Sequence, residues 1–310
     1  MTKKKIVVVG STNMDMVVKA NHIPVSGETI LGGDFFMNPG GKGANQAVTV
    51  ARLGGNTAFI TKVGSDIFGK QAIQLFDDEG IDITGVLSDP TTPSGVALIT
   101  VDEFGENSIV VASGANANLK PRDVEKSLDK IGDCEILLLQ LEIPMDAVAF
   151  SVEYANANGI KVILNPAPEN SQVARLFPKI DVITPNRYEA EMLTGIKVTD
   201  LDTAKKAAQF LHTQGVKSIV ITLGSKGAIL YHENEFHIIP AIPCKAIDTT
   251  AAGDVFCGAL AVAIAEGKDM LSAVQFACKA AAISVTRMGA QSSIPNRNEL
   301  IVDIINSREQ

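Results

Sequence analysis

The sequence predicts an α/β fold: a mostly parallel central sheet with helices on both faces, plus a small β-sheet lid. Three observations predict it. Short apolar runs ending in Gly, Asn or Pro alternate with segments of helical period, the pattern of strands joined by crossover helices. Two segments, 14–38 and 94–114, break that rhythm with short alternating runs and no helical period. Apolar residues make up 46% of the 310, enough for a sizeable core and too many for global disorder.

In chain order, the buried-strand candidates are KKIVVVG (4–10), TAFITKVG (57–64), EILLLQLE (135–142), IKVILNP (160–166), DVITPN (181–186) and SIVITLG (218–224). The clearest helix is 43–53, where Ala44, Ala47, Val48 and Ala51 share one face and Gly54-Gly55 ends it. Further helices are expected at 69–79, 145–158, 203–213, 254–265 and 271–285. The 94–114 segment reads as a hairpin turning through DEFGEN, and with 14–38 it is expected to form one small antiparallel sheet over the strand ends. No linker, repeat or low-complexity segment divides the chain, so 1–310 reads as a single unit.

The formal charge of −8, from 27 basic and 35 acidic residues, argues against a nucleic-acid or anionic-membrane surface. No run of 18 apolar residues offers a membrane span. The basic start MTKKK precedes only a short apolar run with no cleavage pattern, so it reads as the first strand of a cytoplasmic protein rather than a signal peptide. Cys134, Cys244, Cys257 and Cys278 show no metal spacing and read as reduced thiols, and the four histidines form no cluster.

Known nucleotide loops are absent. VVVGSTNMD lacks the dinucleotide fingerprint, and GGKG (40–43) lacks the spacing and the hydroxyl residue of a Walker A loop. NPGGKGANQ (38–46) nevertheless lets backbone approach a ligand closely, with Lys42 and Asn45 as directed polar groups; a plain glycine-rich turn is the competing reading. DTTAAGDVFCGAL (248–260) places small residues between two aspartates just before a helix, as an anion site would. Taken alone, Asp254 could equally complement the helix dipole, and Asp248 could stabilise its own turn. Asn186 and Glu189 have capping-box spacing, and Glu142 alone reads as a solvated carboxylate at a strand end.

GSTNMD, PVSGET, NPGGKGANQAV, NPAP, ITPNRYEAEMLTG, TLGSKG and DTTAAGD occur in the order found in the PfkB-type carbohydrate kinase family, which the chain resembles from its first strand to TRMGAQSSIP near residue 295. The resemblance implies ATP-dependent phosphorylation of a sugar, D-ribose to D-ribose 5-phosphate, with Mg²⁺ and an activating K⁺. Ala251, Ala252 and Gly253 would form the anion hole and Asp254 the base; many members carry Gly-Ala-Gly-Asp where this chain has Ala-Ala-Gly-Asp. Asn13, Asp15, Gly41, Lys42, Gly43, Asn45 and Glu142 would hold the sugar. Asn186, Glu189, Thr222, Leu223, Gly224, Ser225, Lys226 and Gly227 would line the nucleotide. Cys278 stands where relatives often have His or Asn against adenine. Asp248, with Thr250, Ser284, Arg287, Gly289 and Ser293, would surround the monovalent cation. A homodimer packed through the lids is expected. Rival readings are another member of the family (a deoxyribokinase, fructokinase or nucleoside kinase), a nonenzymatic sensor on the same fold, and a nicotinamide-dependent dehydrogenase, which the missing fingerprint opposes.

Overall fold

The computed structural model describes residues 3–300; the ends of the 1–310 unit, residues 1–2 and 301–310, lie outside the described residues. Strand β1 (Lys5–Val9) shows why the central layer forms. Ile6 and Val8 point to one face and Val7 and Val9 to the other, and all four are fully buried, as in strands covered on both sides. After β1 come β2 (Asn13–Lys19), β3 (Phe35–Gly40), α1 (Lys42–Arg52), β4 (Asn56–Gly64), α2 (Ile67–Asp78), β5 (Val86–Asp89), β6 (Gly95–Val101) and β7 (Asn107–Ala112). The next run is α3 (Pro121–Ile131), β8 (Ile136–Leu139), α4 (Met145–Ala157), β9 (Lys161–Leu164), β10 (Val182–Ile183), α5 (Arg187–Thr194) and α6 (Leu201–Thr213). The chain closes with β11 (Ser218–Thr222), β12 (Ala228–His232), β13 (Glu235–Ile239), α7 (Ala252–Ala265) and α8 (Met270–Ser284).

Among the described residues nine strands form the main sheet in the order β13-β12-β11-β10-β9-β8-β1-β4-β5, parallel from β11 to β5 and antiparallel only across β11-β12-β13. Helices α3, α4, α5 and α6 cover one face, in one apolar cluster with Val7, Val9, Leu137 and Leu139. Helices α1, α2, α7 and α8 cover the other, in a cluster with Ile6, Val8, Ile136 and Leu138. The expected α/β architecture is therefore present, with a separate small sheet.

That small sheet has the order β3-β2-β6-β7. Its outer pairs are antiparallel, but the central pair β2–β6 is parallel, which corrects the expectation of a wholly antiparallel lid. The reason is topological: β2 leaves the carboxyl end of β1, and β6 leaves that of β5. Those two strands run in the same direction, so their extensions do too. All six residues of β7 are exposed, and Leu98, Ile109 and Val110 are apolar side chains more than half exposed.

Candidate active site

The loops at the carboxyl ends of β1, β8, β9, β10 and β11 open on the head of α7, where open parallel sheets bind ligands. On the lid side, Asn116 grips the loop after β1, accepting from Thr12 N at 2.9 Å and donating to Thr12 O at 3.0 Å. It also donates to Asn13 Oδ1 at 2.8 Å, which fixes the Asn13 amide. Asp15 lies against Gly40 across the β2–β3 pair; a Cβ at Gly40 would come 2.2 Å from Asp15 Oδ2, so only glycine admits the carboxylate there. Burial pushes the Asp15 carboxyl up from 3.8 to about 6; Glu142 and Asp254 push the same way and Lys42 opposes them. Glu142 is more than a solvated strand end. Its Oε2 accepts from Ser11 Oγ at 2.5 Å and from Lys42 N at 3.0 Å, tying β1, β8 and the head of α1 together.

Asp254 sits in the first turn of α7 and is 5% exposed. Its Oδ2 accepts from Asn45 Nδ2 and its Oδ1 from Gln46 Nε2, both at 3.0 Å. Burial pushes this carboxyl up, while Lys42 and the two amides pull it down. Lys42 is held charged chiefly by Asp254, with help from Glu142 and Glu189. Ala251 caps the helix in the left-handed region, φ 59°. The N–H of Ala252 bonds back to Thr249 O and that of Val255 to Ala251 O. The intervening Gly253 and Asp254 N–H groups fall among those a helix start leaves without a backbone acceptor. A Cβ at Gly253 would meet nothing within 4 Å, so bare backbone faces open space there, with the positive end of the helix dipole behind it.

One cavity is lined by Lys42, Asn186, Glu189, Thr222 and Ala251 through Asp254, all singled out from the sequence. Asn165, Thr184 and Cys257 line it as well, and sequence reasoning missed them. Asn186 and Glu189 form the full capping box: Glu189 N donates to Asn186 Oδ1 at 2.9 Å, and Asn186 N and Nδ2 each donate to the carboxylate at 2.8 Å. Leu223, Gly224, Ser225, Lys226 and Gly227 turn between β11 and β12, with Leu223 N donating to Gly227 O at 2.8 Å. Cys278 lies apart, half-buried on α8.

Behind the head of α7, Asp248 Oδ1 accepts from Thr250 N at 2.9 Å and Thr250 Oγ1 at 2.6 Å. Its Oδ2 accepts from Gly289 N at 2.8 Å. Three of the six residues assigned to the cation therefore meet here. The hydroxyls of Ser284 and Ser293 turn back to Ala281 O and Ala290 O, and Arg287 pairs with Glu299. Among the described residues no three His, Cys, Asp or Glu side chains converge as a metal cluster, and no helix is long and apolar enough to cross a membrane.

A buried carboxylate, helix N–H groups without a backbone acceptor and a lysine thus meet at this end of the sheet, with the lid carboxylate Asp15 near enough to be felt by them. The sequence profile described as "pfkB family carbohydrate kinase" matches residues 3–297. The chain belongs to this family and is an ATP-dependent sugar kinase. It is 45% identical to a ribokinase of Haemophilus influenzae over 96% of this chain and 98% of that one. It is 39% identical to a deoxyribokinase of Salmonella typhi over 94% and 95% of the two chains. The structure of an Arabidopsis thaliana ribokinase complexed with ribose and ATP superposes with a TM-score of 0.89 at 33% identity, covering 97% of this chain and 98% of that one.

Proposed function

We propose that this chain transfers the γ-phosphoryl group of ATP to the 5-hydroxyl of D-ribose, with Asp254 as the base. The observation that carries the reading is the position of Asp254: buried, between the amides reaching from α1 and the unpaired N–H groups of α7. As the hydroxyl oxygen bonds to the γ-phosphorus, its proton passes to Asp254 and the bond to the ADP oxygen breaks. Gly253 and its neighbours Ala251 and Ala252 would receive the transferring group, where fixed dipoles stabilise developing charge at no reorganisation cost. Asn13, Asp15, Lys42, Asn45 and Glu142 would hold the sugar, with Gly41 and Gly43 keeping the backbone close. A furanose offers many hydroxyls and little apolar area, which suits a ring of amides, carboxylates and an ammonium.

The nucleotide would lie along 222–227, with its phosphates toward Asn186 and Glu189. Each Glu189 oxygen already accepts one bond from Asn186 and keeps a lone pair for water, so this site suits a Mg²⁺ held mainly by phosphate oxygens and water. That ion would supply charge neutralisation at the phosphates. A K⁺ fits the remaining lone pair of Asp248 Oδ2 together with loop carbonyls, because Gly289 uses only one of the two. The exposed apolar side chains of the lid support a homodimer formed lid to lid. Four cysteines without a disulfide suit the cytoplasm.

A second reading, 2-deoxyribose as the preferred sugar, has the Salmonella relative in its favour. ADP release measured across ribose, 2-deoxyribose, fructose and adenosine separates the two. Ribose is expected to give the highest kcat/KM, since a site built to bond a hydroxyl can reject an analogue without it by up to about 10⁴-fold. Equal or better turnover of 2-deoxyribose overturns the ribose assignment.

A further inference from the structure

Asp254 is held by two neutral amides from neighbouring positions on α1. Successive helical residues point about 100° apart, so Asn45 and Gln46 reach both oxygens of one carboxylate only because α7 crosses α1 closely. Gly258 permits that crossing: a Cβ there would lie 2.6 Å from Thr49 Cβ and 2.9 Å from Gln46 O. Gln46 is fully buried, and both of its amide donors and one lone pair of its carbonyl are in use. Nε2 donates to Asp254 Oδ1 at 3.0 Å and to Asn165 Oδ1 at 3.2 Å, and Oε1 accepts from Gln140 Nε2 at 2.5 Å. Turned over, the amide would set its carbonyl against the carboxylate and its NH₂ against that of Gln140. One orientation remains.

The holder is also uncharged. Asp254 is faced by Lys42 from α1, Glu142 beyond β8, Asp15 from the lid, Glu189 from α5 and Cys257 from its own helix. Lys42 is the cation that acts on it among the described residues, and an amide adds position without a second positive charge.

We infer that Gln46 is a positioning residue for the phosphoryl-transfer base: locked by Gln140, it fixes Oδ1 of Asp254, while Oδ2, which keeps a lone pair beside its bond from Asn45, takes the hydroxyl proton. This rests on the reading of Asp254 as the base. The O–H bond of the sugar breaks and its electron pair forms the bond to the γ-phosphorus as the bond to the ADP oxygen breaks; ADP leaves with that pair, and the proton ends on Oδ2.

The test follows kcat from about pH 5 to about pH 9 at saturating sugar and ATP, which confines the titration of Asp15 to KM. Wild type is compared with Gln46→Met, Gln140→Met and Asp254→Asn. Methionine matches glutamine in length and cannot donate, and loss of a hydrogen bond to a carboxylate raises its pKa. The acid limb of Gln46→Met should therefore move up by about one unit, with KM for ATP unchanged. Gln140→Met should move it the same way by less, and Asp254→Asn should lose at least about 10²-fold in kcat. A structural role alone would lower thermal stability and scale kcat equally at every pH. Unmoved limbs in both methionine variants, with Asp254→Asn inactive, overturn the positioning role and leave the base standing. An active Asp254→Asn overturns the base and this inference with it. Should Gln46→Met fail to fold, the limb of Gln140→Met decides.

Discussion

Replacing Asp15 by Asn should stabilise the protein while weakening its grip on the sugar. The Asp15 carboxyl is raised from 3.8 to about 6 by burial first and by Glu142 and Asp254 next. Between those values the folded state holds a proton that the unfolded chain has lost, so stability falls as pH rises through this window. A shift of about two units corresponds to a ceiling of about 3 kcal/mol. Asp15 keeps some contact with solvent, which cuts that to about 1–2 kcal/mol. For a chain this long, Asp15→Asn should then raise Tm by about 2–3 °C at pH 8, a gain that vanishes as pH falls toward about 4. Calorimetric scans at both ends of the range measure it. Ribose KM should rise about 10–100-fold in the variant, because a charged acceptor contributes about 1.5–3 kcal/mol. In wild type, KM should climb as pH drops through about 6. A variant no more stable than wild type at pH 8, or one whose gain is the same at both pH values, refutes the reasoning.

Ala251 sits at φ 59°, which costs an L-residue about 1–2 kcal/mol, and glycine's unfolded-state freedom takes back about 0.5–1 kcal/mol. Ala251→Gly should therefore gain about 0.5–1 kcal/mol in denaturant titration with kcat nearly unchanged; a loss of stability would contradict strain at that position. Activity should rise with K⁺ at constant ionic strength and Asp248→Ala should abolish the response, whereas equal rates in K⁺ and in a bulky organic cation would remove the case for the site. Light scattering at micromolar concentration should give a dimer that Val110→Lys splits, and a monomeric wild type would refute lid-to-lid packing.

The rhythm of the main sheet was legible because its strands are covered on both faces and stand out as unbroken apolar runs. The β12–β13 hairpin escaped notice. Its two-residue turn uses Glu233 and Asn234, both at positive φ, without the Asn-Gly pair that advertises such turns. Helix α3 escaped too, since Val124, Leu128 and Ile131 are its only large apolar residues and are spread thinly among charges. The parallel centre of the lid is a property of how β1 and β5 are ordered, which no local window contains. Of the proposed site, ordered motifs carried Asn13, Asp15, Lys42, Asn45 and Asp254. Gln46 lay inside a quoted motif, but its partner is 208 residues away. Asn116, which fixes Asn13 from 103 residues away, belongs to no motif at all.

Asn13 and Asp15 stand on β2 and Gly40 on β3, so under the proposed function part of the sugar-facing wall is lid, whereas the residues proposed to face the phosphates belong to the body. That division would make the enzyme modular. Strands β2 and β3 can change length, tilt or side chains, and so change which polyol is accepted, without disturbing the head of α7. A chimaera carrying a relative's β2–β3 segment on this body should inherit the donor's taste in sugars and keep its own nucleotide handling. Diversification of such a fold can thus proceed by exchanging its cover while the reaction centre beneath stays fixed.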